Sequence, residues 1–364
     1  MLQRISLTLV TILLALSGAV PSIVPFGTTP LSLGRPVLCA NNRRVTSAFV
    51  PAGHWMPPRA IETTDGPRPL GLPKVPVPAA NPLTQEKIRL GRQLFFEKRL
   101  SEDGTISCAV CHDPEKGFGD GRTISVGIHG LKGRRHSPSL FNVAFQPYFF
   151  WDGRTSSLEA QSTEPLCNPV EMSDSVERAV ARLSRLPEYQ QQFRDIFGTP
   201  PTTERLAQAL ASFERTILSG GSPYDRYEAG ERDALSTTAL EGMQLFNGKA
   251  HCNLCHQGFN FSDGLFHNLG VGWSSNSFQD LGRFDVTGVF KDQGAFKTPT
   301  LREISASAPY MHDGSLASLE AVIEFYDQGG NPNPHLDPLI RPLRLMLEEK
   351  ATLLEFLKSL NGSH

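Results

Sequence analysis

Basic charge is the first thing this sequence is short of. Thirty-five Lys and Arg are set against 37 Asp and Glu in 364 residues, a formal net charge of −2. A nucleic-acid partner calls for a concentrated basic excess against its phosphates, so that class is excluded. Strand signals are scarce too. No apolar run of membrane-spanning length follows residue 16, which sets aside a polytopic membrane protein. Cysteine is also sparse, with six in all, and four of them fall in two five-residue stretches around which the chain is organised.

Those stretches are Cys108-Ala109-Val110-Cys111-His112 and Cys252-Asn253-Leu254-Cys255-His256. Each reads C-x-x-C-H, the attachment pattern of a c-type haem. Two thiols one helical turn apart can add to the two vinyl groups of one haem, and the adjacent histidine can then bind the iron from below. A zinc half-site or a redox dithiol is the competing reading of a CxxC. Zinc, however, would want a second CxxC or a paired histidine close by. Here histidine follows at once, and it does so twice. Cys108, Cys111, Cys252 and Cys255 are therefore expected to hold two covalent haems, with His112 and His256 as iron ligands. Cys39 and Cys167 remain; they could pair in an oxidising compartment, but two unpaired thiols are the simpler expectation.

The chain opens like an export signal over residues 1–19: Arg4, an apolar run over 5–16, then Ser17-Gly18-Ala19. Export suits covalent haem, which is attached outside the bacterial cytoplasm, so the expected compartment is the periplasm. A Pro-rich extension follows over 20–82, read as a linker or a strap lying over the first domain, with His54-Trp55-Met56 inside it as packing residues. Helical signals start at Thr84, a candidate N-cap, and Leu90-Gly91-Arg92-Gln93-Leu94-Phe95 leads into the first CxxCH. Glu241-Gly242-Met243-Gln244-Leu245-Phe246 repeats that pattern ahead of the second, with Thr238 and Glu241 as a capping box. Further helices are expected over 176–197 (broken at Pro187), over 203–218, after Ser318, and over 347–360. The fold class is mainly α, with two cytochrome c-like domains over 83–235 and 236–364, each expected to carry one haem.

Two longer blocks add to this. One runs through Phe150-Trp151-Asp152-Gly153-Arg154 and Leu158-Glu159-Ala160-Gln161 to Val170-Glu171-Met172. The other joins Lys297-Thr298-Pro299-Thr300-Leu301-Arg302 to Ala308-Pro309-Tyr310-Met311-His312-Asp313-Gly314. Over roughly 82–360, most of the mature chain, the sequence resembles the bacterial di-haem cytochrome c peroxidases and their relative MauG. That resemblance implies a peroxide-reacting haem at His112 and an electron-transfer haem at His256. It further implies Trp151 as a relay between them, and Gln161 with Glu171 over the peroxide site. A carboxylate there can take a proton from peroxide and return it to the outer oxygen if its pocket tunes its pKa.

Three departures from the family pattern bear on chemistry. Tyr326 stands where the peroxidases place a methionine ligand of the second haem, as in MauG, and Met311 is the alternative ligand. The loop that carries a gating histidine in some members reads Ile128-His129, with Ile128 in the histidine's place, so no gate is expected and His129 is a loop residue. His136 replaces the asparagine of the family's calcium pattern, and imidazole is a poor calcium ligand; one calcium ion stays open, with backbone oxygens near Ser307 and Pro309 as remaining donors. His251, His267 and His312 are expected to serve as hydrogen-bonded structural groups. The expected activity is reduction of hydrogen peroxide to water with electrons from a small cytochrome c or cupredoxin. The alternative is MauG-like oxidation of aromatic residues of a partner protein through a high-valent di-haem state. A non-enzymatic di-haem electron carrier is the third reading. A homodimer is left open.

Overall fold

The computed structural model describes residues 68–362. The export signal, Cys39, His54-Trp55-Met56 and the first part of the Pro-rich extension lie outside the described residues. Helices dominate: α1 (Gln85–Phe95), α2 (Cys108–Cys111), α3 (Leu158–Gln161), α4 (Glu164–Cys167), α5 (Val176–Leu183), α6 (Pro187–Phe197) and α7 (Thr203–Glu214). They continue as α8 (Pro223–Glu228), α9 (Thr237–Asn247), α10 (Phe284–Thr287), α11 (Leu319–Asp327) and α12 (Leu347–Lys358). Strands are short. β1 (Phe266–Asn268) pairs antiparallel with β4 (Ala295–Lys297), and β2 (Trp273–Ser274) with β3 (Ser277–Phe278). Among the described residues no helix is long and apolar enough to cross a membrane.

Two hydrophobic cores organise these elements. The first gathers Leu94, Phe95, Phe118, Tyr189, Phe193 and Phe213 where α1 crosses α7. The second gathers Phe246, Phe261, Ile323, Phe356 and Leu360 where α9 crosses α12. The repeated glycine of the sequence explains both crossings. A Cβ on Gly91 would lie 1.9 Å from the Ala209 carbonyl oxygen, and one on Gly242 would lie 2.0 Å from that of Thr352. Each glycine lets the partner backbone touch the helix, so the repeat records a shared crossing. Gly242→Ala gains helix propensity, about 1 kcal/mol. It also drives a methyl into a backbone that cannot yield, and overpacking of that kind costs about 1–3 kcal/mol. We expect net destabilisation, read as a lower urea midpoint of the holoprotein; an unchanged or higher midpoint would refute the close-crossing argument.

Local signals mostly sit where the sequence puts them. Thr84 accepts from the Lys87 amide, Ser318 from Ala321, and Pro187 opens α6 after a break at 184–186. One expectation is corrected: the hydroxyl capping α9 is Ser236, which accepts from the Ala239 amide at 3.1 Å, and not a Thr238–Glu241 box. Ser236 keeps extended backbone (φ −67, ψ 158) while Thr237 and Thr238 are already helical, so only Ser236 has cap geometry. Two helices also end earlier than their apolar pattern suggests, α7 at Glu214 and α12 at Lys358. Residues 68–82 run extended against α7 and α8. Asn81 donates to Glu159 Oε1 and to the Gln208 carbonyl, and Leu72 and Val75 are buried.

Candidate active site

Each C-x-x-C-H stretch is a single tight turn. In α2, the His112 amide donates to the Cys108 carbonyl at 2.9 Å; in the second stretch, His256 donates to Cys252 at 2.8 Å. That turn puts both thiols and the histidine on one side of the backbone. The rings are fixed alike: His112 Nδ1 meets the Phe118 carbonyl at 2.9 Å, and His256 Nδ1 meets that of Phe261 at 3.0 Å. A carbonyl can only accept, so Nδ1 carries the proton and Nε2 keeps the lone pair an iron needs. Burial holds both imidazoles below their ordinary pKa, hence neutral.

The surroundings argue against the competing CxxC chemistries. A redox dithiol needs a lowered thiol pKa, whereas burial pushes Cys111 and Cys252 up to about 12. Among the described residues the one His/Cys/Asp/Glu group close enough to hold a metal is Cys255, Asp263 and His267, which takes one thiol from one motif. Such an arrangement is not a Cys-rich zinc site.

One cavity of about 730 Å³ is lined by both motifs: Cys111 and His112 from the first, Cys252, Cys255 and His256 from the second. The half-buried neutral imidazoles, the paired thiols beside them and the roomy, largely apolar walls fit a haem at each motif. Trp151, Gln161, Glu171, Tyr326 and Met311 all line the same cavity. Glu171 lies on the side of the first motif, close enough for its charge to act on the Cys108 and Cys111 thiols. Tyr326 lies on the side of the second, within reach of Cys252 and Cys255, and burial pushes its phenol well above the ordinary value.

Glu171 is mostly enclosed. Burial raises its carboxyl pKa against the opposing pull of Arg154 and of Asn168, which donates to Oε1 at 2.6 Å. Gln161 Oε1 is buried with no hydrogen-bond partner among the described residues, an acceptor directed at something the chain does not supply. Trp151 donates through Nε1 to the His136 carbonyl at 2.9 Å. In the loop at residues 128–129, Ile128 is fully buried and His129 is 59% exposed at its side chain, 3.6 Å from Asp103; neither lines the cavity. His136 commits Nδ1 to the Arg122 carbonyl at 2.8 Å. His312 stacks on Phe296 with centroids 3.5 Å apart, and His267 is bracketed by Asp263 at 2.9 Å and Asp337 at 2.6 Å.

Several residues escaped the sequence reading. Asn168 orients Glu171, and Gly127 lets its loop touch the same segment, since a Cβ there would lie 2.2 Å from the Val170 carbonyl oxygen. The larger omission is a second internal repeat, residues 137–161 against 298–322 without a gap, sharing Pro, Asp-Gly and Ser-Leu-Glu-Ala at matched places. Matched residues adopt matched conformations: Asn142 and Glu303 both at φ 58, Phe150 and Met311 at φ 64 and 71. Two backbone bonds related by this repeat cross between the halves, His136 amide to His312 carbonyl at 2.7 Å and Lys297 amide to Trp151 carbonyl at 2.8 Å. Aligning the chain with itself around Asp152-Gly153 and Asp313-Gly314 would have exposed Lys297 and the pairing of Trp151 with His312.

Comparison with known proteins gives concordant results. The family model for di-haem cytochrome c peroxidases matches residues 85–233. The methylamine utilization protein MauG of Methylorubrum extorquens is 43% identical over 292 residues, covering 79% of this chain and 82% of that protein. The cytochrome-c peroxidase IdrP1 of Pseudomonas sp. (strain SCT) is 39% identical over 322 residues, covering 80% and 85%. A solved MauG-like protein associated with microbial copper homeostasis superposes with a TM-score of 0.74 at 35% identity, covering 85% of this chain and 96% of that one.

Proposed function

The chain belongs to the di-haem cytochrome c peroxidase and MauG family, oxidoreductases that act on peroxide, and from that premise we propose that it is a periplasmic peroxidase reducing hydrogen peroxide to water. The observation that carries this reading is the single cavity lined by His112, Gln161 and Glu171 together with His256 and Trp151. Two c-type haems, implied by the family, would be held by Cys108, Cys111 and His112 and by Cys252, Cys255 and His256. When bound they supply peroxide activation and electron storage. Reduction of one peroxide to two waters consumes two electrons and two protons.

The chain's own groups manage the protons. Glu171 takes a proton from the inner oxygen of an entering peroxide and returns it to the outer oxygen as that oxygen departs. Its raised carboxyl pKa makes it a stronger base than an exposed carboxylate, which favours the uptake of that proton. Gln161 Oε1 accepts from the peroxide O–H, which satisfies its unpartnered acceptor. Trp151 bridges the two halves through its indole bond to His136 and its carbonyl bond from Lys297, and so serves as the relay between the motifs. Ile128 in the gating loop leaves the peroxide side open without prior reduction. Electrons would come from a small cytochrome c or cupredoxin, and export would be directed by residues 1–19. One calcium ion would draw on backbone oxygens near Ser307 and Pro309, because His136 already spends Nδ1 on the Arg122 carbonyl.

A second reading is favoured by one observation, the half-buried Tyr326 beside Cys252 and Cys255. A phenolate ligand lowers a haem potential where methionine raises it, which suits the MauG-like alternative of oxidising a partner protein. Steady-state assay of peroxide consumption with a reduced small donor separates the two: sustained turnover supports the peroxidase, and negligible turnover sinks it. Tyr326→Phe tests the ligand. A changed spectrum of one haem and a raised potential are expected, while an unchanged spectrum would transfer the ligand role to Met311.

A further inference from the structure

Six cationic side chains line the cavity: Arg134, Arg135, Arg154, Lys297, Arg302 and Arg341. Three have carboxylates, Arg135 with Asp152 and Asp280, Arg154 with Asp152 and Glu164, and Arg302 with Asp225. Arg134 and Arg341 are exposed and can be solvated. Lys297 differs from all of these. It is 7% exposed, and its ammonium reaches one neutral partner, Gln146 Oε1 at 2.6 Å, with no carboxylate paired to it among the described residues.

A buried ammonium facing only an amide is costly, and proteins meet that cost with an anion or by losing the proton. In the chain alone burial lowers Lys297 to about 8, so near neutral pH the charge persists and wants a counter-ion. The anion cannot come from β1, which pairs Phe266 with Lys297, nor from Trp151, whose carbonyl already holds the Lys297 amide. It must come from the cavity. Haem carries two propionate carboxylates on one edge, the anionic end of the group this cavity fits. We infer that Lys297 is the counter-cation of a haem propionate at the wall the two motifs share. The repeat supports this placement. His136, its counterpart in the first half, lines the same cavity and makes the reciprocal backbone bond. Lys297 also sits two residues before Pro299, whose carbonyl faces His256. The inference rests on haem occupancy and not on which substrate is oxidised.

The test is spectroelectrochemical titration of the holoprotein, which reads both haem potentials. A cation beside the haem stabilises the reduced iron, so Lys297→Met is expected to lower the potential of one haem. Lys297→Gln, which keeps a donor without the charge, should do the same, and Lys297→Arg should restore the wild-type value. Two unchanged potentials in the neutral variants would overturn the inference and leave Lys297 as an amine satisfied by Gln146. If neither neutral variant takes up haem, resonance Raman compares wild type with Lys297→Arg. A shifted propionate bending band at retained potentials supports the contact, and an unchanged band overturns it. No peroxide enters these measurements, so failure of the proposed activity and failure of this inference remain distinguishable.

Discussion

Glu171→Gln is expected to reduce peroxide turnover by roughly 10²- to 10⁴-fold, the range associated with loss of a positioned general acid–base group. The substitution is chosen to leave everything else in place. A glutamine amide has the carboxylate's shape and its oxygen can still accept from Asn168, now 2.6 Å from Glu171 Oε1. It cannot take up a proton, and it lacks the carboxylate charge that Arg154 opposes. The surroundings explain why the effect should be large. The carboxyl is enclosed and its pKa is raised by burial, while of the other carboxylates lining the cavity Asp152 is held by Arg135 and Arg154 and Asp280 by Arg135. Stopped-flow measurement of the second-order rate with peroxide, beside an absorption spectrum showing that both haems are retained, gives the comparison. A variant within about threefold of wild type would remove Glu171 from proton transfer and leave Gln161, with its unpartnered oxygen, as the remaining distal group.

What the sequence made legible is what short-range chemistry dictates. A C-x-x-C-H turn needs no tertiary information, and both stretches fold as single turns with the histidine amide bonded back to the first cysteine carbonyl. The helix repeat was legible because Gly91 and Gly242 stand at the same place in two similar helices, although only the structure supplies the reason, a carbonyl about 2 Å from a would-be Cβ at each. Caps were less secure. Ser236, Thr237 and Thr238 all offer hydroxyls, and backbone torsion, which the sequence does not carry, chose Ser236. The site residues divide in the same way. Tyr326 and Met311 both line the cavity, so spacing could not separate them and neither does position alone. Lys297 stayed silent because a lysine in a sequence reads as a surface charge. Its burial and its neutral partner exist only in the folded chain, although its equivalence to His136 is readable from the gapless repeat. Domain boundaries at 83–235 and 236–364 remain an expectation from the repeat.

The largest stability effect should follow from Arg302→Met. Arg302 is 1% exposed and Asp225 3%, and the guanidinium meets the carboxylate with two parallel bonds, one at 2.8 Å. Its remaining donors go to the Phe259 carbonyl at 2.6 and 2.9 Å and to the Ser222 hydroxyl at 3.4 Å. Asp225 in turn accepts from the Ser222 amide and hydroxyl and so caps α8, while the extended segment passes so close that a Cβ on Gly71 would lie 2.0 Å from Asp225 Oδ1. The pair thus fastens three pieces distant in sequence: residues 68–82, α8, and the block that follows β4. Replacing arginine by methionine keeps volume and strands the carboxylate in a dry site, a loss of about 3–5 kcal/mol for a buried pair broken on one side. Arg302→Met with Asp225→Leu removes both charges and should recover most of that loss, because the penalty belongs to the uncompensated ion more than to the pair. Urea unfolding of the three holoproteins gives both numbers. A single variant that costs less than about 1 kcal/mol would mean that water reaches Asp225 and that the fastening is looser than its geometry. A double variant as weak as the single would place the stabilisation in the Phe259 carbonyl bonds, which the methionine also removes.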